Sequence, residues 1–166
     1  MKRAFSHLSS RDRPSDGPAD SVTLDFDARH RRRIVLATDA GEKVLLDLDR
    51  AVAMAHGDAL VLEGGGWIEV LAADENVVEV SASSQAALLR LAWHLGNRHL
   101  PAEITPSAIY IRPDSVIESM LADLGATLAL CQRSFQPERG AYGHGKEEEG
   151  ATGDYQGHHQ GHDHAH

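Results

Sequence analysis

The residues best suited to chemistry in this chain are histidines, and they are unevenly placed. The chain ends in "GHHQGHDHAH", five histidines among ten residues. Six of the 11 histidines, His144, His158, His159, His162, His164 and His166, fall in the last 23 residues. A neutral imidazole offers one lone pair to a metal ion and suits nickel, zinc and copper. His162, His164 and His166 alternate, while His158 and His159 are adjacent. Glycine, glutamine, aspartate and alanine interrupt the run, unlike the unbroken histidines of an affinity tag. Several imidazoles on a flexible segment can gather around one ion. No rigid frame enforces a geometry there, so binding is expected to be multiple and weakly selective. A storage buffer, a sensor and a delivery protein could all end this way.

A second stretch, "HLGNRHLPAEI", lies far upstream. Gly96 predicts the end of a helix, because glycine enters the left-handed conformation without strain. Arg98 and His99 then project from a loop. His99 is a candidate ligand or a satisfied structural histidine. His94 sits in the last helical turn, where a charged imidazole is also favourable beside the helix C-terminus, so it reads as a ligand or as a surface or capping group. Cys131, the only cysteine, falls within a predicted strand and reads as a small core residue. A single thiol forms no internal disulfide, which agrees with a reducing, cytoplasmic setting.

The elements that must position these residues fall into two groups. Residues 21–76 read as an all-β domain. "VTLDF" alternates like a half-buried strand. "RRIVLATDAGEKVLLDL" reads as two strands about a turn at Asp39-Ala40-Gly41, and "DALVLEGGGWIEVLAA" repeats the plan around Gly64-Gly65-Gly66. No lysine follows that triplet at phosphate-loop spacing, so it reads as a hairpin turn. The basic run Arg29-His30-Arg31-Arg32-Arg33 reads as a solvated strand edge, with a patch for an acidic partner or RNA as the alternative.

Residues 77–140 change character. "VVEVS" is a strand. Leu88, Leu91, Ala92 and Leu95 then mark one face of a helix that Ser83 or Ser84 caps. "AEIT" and "AIYI" are short strands. "SVIESMLADLG" is a second helix, with Ser115 and Glu118 at capping-box spacing. Its apolar face is Ile117, Met120, Leu121 and Leu124, and Gly125 stops it. "TLALCQRSF" closes the set. The β-α-β-β-α-β order predicts a ferredoxin-like domain, so the fold class is α+β. Residues 1–20 are expected to form a flexible leader, and 141–166 a disordered His-rich tail.

From Ala141 onward Lys146 faces five carboxylates, a net of −4 out of the chain's −9. That leaves −5 on the rest, an acidic balance that argues against a nucleic-acid binder and suits cationic partners or metal ions. No apolar run is long enough for a membrane helix. No nucleophile, base and orienting group stand at recognisable spacing, so no enzyme is expected.

"HLGNRHLPAEI", the ferredoxin-like remainder, "FQPERGAYGHG" and the His-rich end together resemble the UreE family. These are urease accessory proteins that act as nickel metallochaperones in protein maturation. The resemblance runs from about Ser21 to the end. It implies a β-rich domain that binds peptides or partners, and a ferredoxin-like metal-binding domain. It also implies a cytoplasmic homodimer in which His99 from each subunit shares one metal ion. The tail, including His144, which matches the first histidine after "GAYG", supplies further ligands. Nickel, with zinc or copper as other possible ions, passes to the urease apoprotein complex with the help of a urease accessory GTPase. In one respect the chain departs from the pattern. Some members carry a His-x-His pair before the second helix, where "YIRPDS" stands here, so a peripheral metal site is not expected. A general nickel or zinc buffer and a peptide-binding interaction module are the rival readings.

Overall fold

Alternation of apolar residues builds the larger of two sheets. In β4 (Lys43–Ala53) Val44, Leu46 and Leu48 are buried while Leu45 and Asp47 between them are only partly so. That is the two-residue period of a strand with one face on a core. The computed structural model describes residues 1–138. Its first sheet contains β1 (Lys2–Leu8), β2 (Asp20–Leu24), β3 (His30–Ala37), β4, β5 (Ala59–Leu62) and β6 (Trp67–Ala72), in the order β2-β6-β5-β1-β4-β3. Both expected hairpins, β3–β4 and β5–β6, are antiparallel pairs. Gly64, Gly65 and Gly66 all carry positive φ, which is what the second turn requires of them.

The leader expected over residues 1–20 is not a free segment. β1 lies inside the sheet, parallel to β4 and antiparallel to β5, with Ala4 fully buried. The residues after it are tied down as well. The Trp67 indole N–H donates to the Asp16 carbonyl at 2.9 Å, and Arg13 pairs with Glu69 at 2.8 Å. Asp58 anchors the join. Its buried carboxylate accepts from His7 at 2.7 Å and from the backbone N–H groups of Ser10 at 2.9 Å and Ala55 at 2.8 Å.

Burial pushes the Asp58 carboxyl up, but the His7 hydrogen bond and charge and the two backbone donors outweigh it, so its pKa lies below the ordinary carboxylate value. A depressed carboxyl stabilises the fold above its unfolded pKa, about 4, and that contribution is lost as pH falls through the folded value. Asp58→Ala is therefore expected to cost roughly 2–4 kcal/mol at neutral pH, since three donors lose their acceptor. Urea midpoints at pH 7 and below pH 4 check both points: the gap between wild type and Asp58→Asn should narrow in acid.

The second sheet has the order β10-β7-β9-β8 and all its pairs are antiparallel. Its elements run β7 (Asp74–Ser81), α1 (Gln85–Asn97), β8 (Ala102–Ile104), β9 (Ile109–Ile111), α2 (Ser115–Asp123) and β10 (Thr127–Ser134). The expected β-α-β-β-α-β order is present, and β7 begins at Asp74, ahead of the boundary expected at residue 77. Leu88, Leu91 and Leu95 of α1 and Ile117 and Leu121 of α2 pack on Val78, Val80, Ile109 and Ile111.

Four local expectations change. Ser84 caps α1, its hydroxyl accepting from the Ala87 N–H at 3.1 Å, but Gly96 does not end that helix. α1 continues to Asn97, and the residue with positive φ is His99. In α2 the cap is Asp114, not Ser115: its carboxylate accepts from Val116 and Ile117, and Glu118 accepts from the Asp114 N–H at 3.0 Å. Aspartate receives two backbone donors there, which a Ser115 cap could not combine with the observed backbone. Leu124, expected on the apolar face, is exposed, because it lies past the last helical residue, at the turn that Gly125 closes. Cys131 is only half-buried on β10.

The two sheets meet around Phe135. Its ring stands edge-on to Phe26 at 5.3 Å, and its carbonyl accepts from the Arg29 guanidinium. Arg29 is buried and also reaches the Met54 carbonyl at 3.2 Å. It therefore leaves the solvated edge expected of the basic run, while Arg31, Arg32 and Arg33 remain exposed on the edge strand β3.

Candidate functional site

His99 is placed by the way α1 ends. The leucine face holds the helix on the sheet. In its last turn the bonds tighten to i−3 spacing, Arg98 N–H to the Leu95 carbonyl at 3.0 Å and His99 N–H to the Gly96 carbonyl at 3.1 Å. His99 then takes φ 55°. A non-glycine residue in this region costs about 1–2 kcal/mol, histidine being among the types that tolerate it better. The strain has a local cause. Leu100 precedes Pro101, which disfavours helical backbone at Leu100, and the chain turns one residue earlier, at His99. The imidazole is exposed and has no hydrogen-bond or ionic partner among the described residues.

His94 is half-buried, with its ring edge-on to Trp93 at 5.0 Å. Trp93 is 65% exposed and Leu89, one turn earlier, 62% exposed. An apolar stripe thus runs along the open side of α1 toward His99. The remaining described histidines differ. His7 is held by Asp58, and His56 Nδ1 accepts from the Ala72 N–H at 3.2 Å. His7, His30 and His99 nonetheless line one cleft between the sheets, together with Arg29, Arg50 and Glu138. Among the described residues no three His, Cys, Asp or Glu side chains are grouped to hold a metal ion. His144, His158, His159, His162, His164 and His166 lie outside the described residues.

Arg112, which stands where a His-x-His pair would begin, is a joint between the sheets. It pairs with Asp27 at 2.8 Å and stacks over Phe26 at 5.0 Å. The cleft and its His7–Asp58 pair were not visible in the sequence, because residues 1–20 read as a leader.

Residues 3–73 match the family described as UreE urease accessory protein, N-terminal domain, and residues 75–166 match its C-terminal domain. The chain belongs to the UreE family. Relatives named urease accessory protein UreE agree with this. That of Azorhizobium caulinodans is 50% identical over 151 residues, 91% of this chain and 69% of its own length. That of Agrobacterium fabrum is 52% identical over 129 residues, 78% and 80% of the two chains. That of Chelativorans is 47% identical over 151 residues, 91% and 92%. The chain spans only 60% of the Bradyrhizobium ORS 278 relative. UreE proteins are accessory proteins and not enzymes. The N-terminal match takes in β1, so the likeness starts earlier than the sequence motifs suggested. No helix among the described residues is long and apolar enough to cross a membrane.

Proposed function

We propose that this UreE chain carries nickel and delivers it to the urease apoprotein complex during urease maturation. The observation that supports it best is His99, exposed, unpartnered among the described residues and held in strained backbone at the end of α1. Strain of this kind concentrates at functional positions. In this reading the chain is a cytoplasmic homodimer. The exposed Leu89 and Trp93 stripe lies against its copy, so that two His99 side chains share one ion. Residues 77–140 act as the ferredoxin-like metal-binding part, and His144, His158, His159, His162, His164 and His166 act as further ligands. The first sheet engages partners, a urease accessory GTPase among them. Zinc and copper compete for the same donors.

Cells deleted for this gene test the reading. At limiting nickel, urease activity should fall and return with the wild-type chain but not with His99→Ala. A pure storage buffer predicts unchanged activation at constant total nickel. A pure peptide module predicts partner binding that survives complete removal of metal.

Nickel binding should also weaken sharply between about pH 7.5 and pH 5.5, because ligand imidazoles must be neutral and free histidine titrates near about 6.5. Calorimetry in buffers of different ionisation heat counts the released protons, expected to be several per chain. Little release near pH 6.5 would make the carboxylates the main ligands.

A further inference from the structure

We propose that the free edge of β3 docks an extended, acidic peptide segment of a partner protein. β3 is the last strand on its side of the six-stranded sheet, so one row of its backbone N–H and C=O groups faces no neighbouring strand. Edges are kept from unwanted pairing by short length, proline, bulges, cover or charge. This one is eight residues long, contains no proline, and leaves Ile34 and Val35 37% and 49% exposed.

Beside those apolar residues stand guanidinium groups with little to neutralise them. Arg33 reaches Asp47 at 3.6 Å, but Arg3 already holds that carboxylate at 3.0 Å. Among the described residues the Arg31 guanidinium donates to the His30 carbonyl at 3.4 Å and to no carboxylate. Arg32 and Arg50 make no ion pair among the described residues, and neither does the exposed Asp49. The register brings Arg50 to the same place. Arg31 pairs with Val52 but Arg33 with Asp47, so β4 bulges through residues 48–51 opposite Arg32. Bulges re-aim side chains. Arg50 and His30 line the cleft, where Arg29 is buried with its Nε unpartnered and, among the described residues, Glu138 is the one lining carboxylate.

The chain as a whole carries −9, so this concentration of positive charge is local. A cationic edge repels a second copy of itself yet attracts an acidic strand, which gives protection and selectivity together. Guanidinium forks take carboxylates in bidentate pairs, and a free strand edge takes extended backbone. A segment alternating Glu or Asp with β-branched residues satisfies both. The inference rests on the reading of the first sheet as partner-binding and is independent of metal carriage.

The test is fluorescence anisotropy of a short labelled peptide alternating Glu and Val, titrated with the full chain. Binding should weaken about tenfold or more in Arg32→Gln/Arg50→Gln and further in Arg32→Glu/Arg50→Glu. It should weaken similarly when alternate peptide nitrogens are methylated, which removes strand pairing without altering charge. Equal binding by the arginine variants, or by the methylated peptide, overturns the proposal. So does a Glu147→Gln/Glu148→Gln/Glu149→Gln variant that binds the probe more than about tenfold tighter, since the chain's own acidic run would then be the occupant. Nickel dialysis on Arg32→Gln alone, a residue outside the cleft that His99 lines, reads the metal function separately and should show no change.

Discussion

Cutting the chain after Tyr142 should remove most of its bound nickel and leave the rest folded. The last described residues are tied into the fold ahead of the cut. Phe135 is fully buried, the Gln136 N–H donates to Glu103 at 2.9 Å, and the Glu138 N–H donates to the Ala102 carbonyl at 2.9 Å. All six histidines beyond Tyr142 are lost. Of the five that stay, His7 is engaged by Asp58 and His56 by the Ala72 N–H, which leaves His30, His94 and His99. No three ligand side chains are grouped among the described residues, so the shortened chain should hold no more than the ion shared at His99. Equilibrium dialysis with nickel counts ions per chain before and after. Thermal unfolding of the metal-free proteins should show nearly equal midpoints. An unchanged ion count would move the ligands into the folded part, and a collapsed midpoint would mean that the cut segment completes the core.

What the sequence showed depended on how local the cause was. The helical faces of α1 and α2 are set by i, i+3, i+4 spacing, and Leu88, Leu91, Leu95, Ile117 and Leu121 are buried in the fold, while Leu124 beyond the helix end is not. The hairpin turn at Gly64–Gly66 needs positive φ and was equally readable. β1 was hidden because its pairing is long-range. Its small residue Ala4 is fully buried between partners Leu46 and Leu62, some 40 to 60 residues away, and nothing in a short window reports that. Arg29 was misread for the same reason. Five consecutive basic residues look like one solvated edge, and the carbonyls of Met54 and Phe135, 25 and 106 residues on, draw the first of them inside. At the candidate site, the end of α1 was only partly legible. Gly96 is the residue that ordinarily ends a helix, but the restriction that Pro101 places on Leu100 moves the turn to His99.

That displaced turn yields the sharpest expectation for His99. A lone loop histidine gives one donor, and one donor does not hold nickel firmly. Two copies of His99 across a twofold axis give two, if the exposed Leu89 and Trp93 stripe brings the α1 ends together. Nickel binding and dimerisation are then coupled. An ion present at about a hundred times its dissociation constant stabilises the dimer by roughly 2.7 kcal/mol. In chains cut after Tyr142, nickel should tighten the wild-type dimer by that amount and leave His99→Ala unaffected, as read by sedimentation at several concentrations. The backbone supplies a second, independent readout. His99→Ala keeps a β-carbon at φ 55°, whereas His99→Gly relieves it. Without metal, His99→Gly should therefore unfold about 1 kcal/mol later than His99→Ala while equally deaf to nickel. If nickel tightens all three dimers alike, the shared ligand is not His99. If instead the glycine variant is the less stable one, the left-handed turn is not where the strain lies.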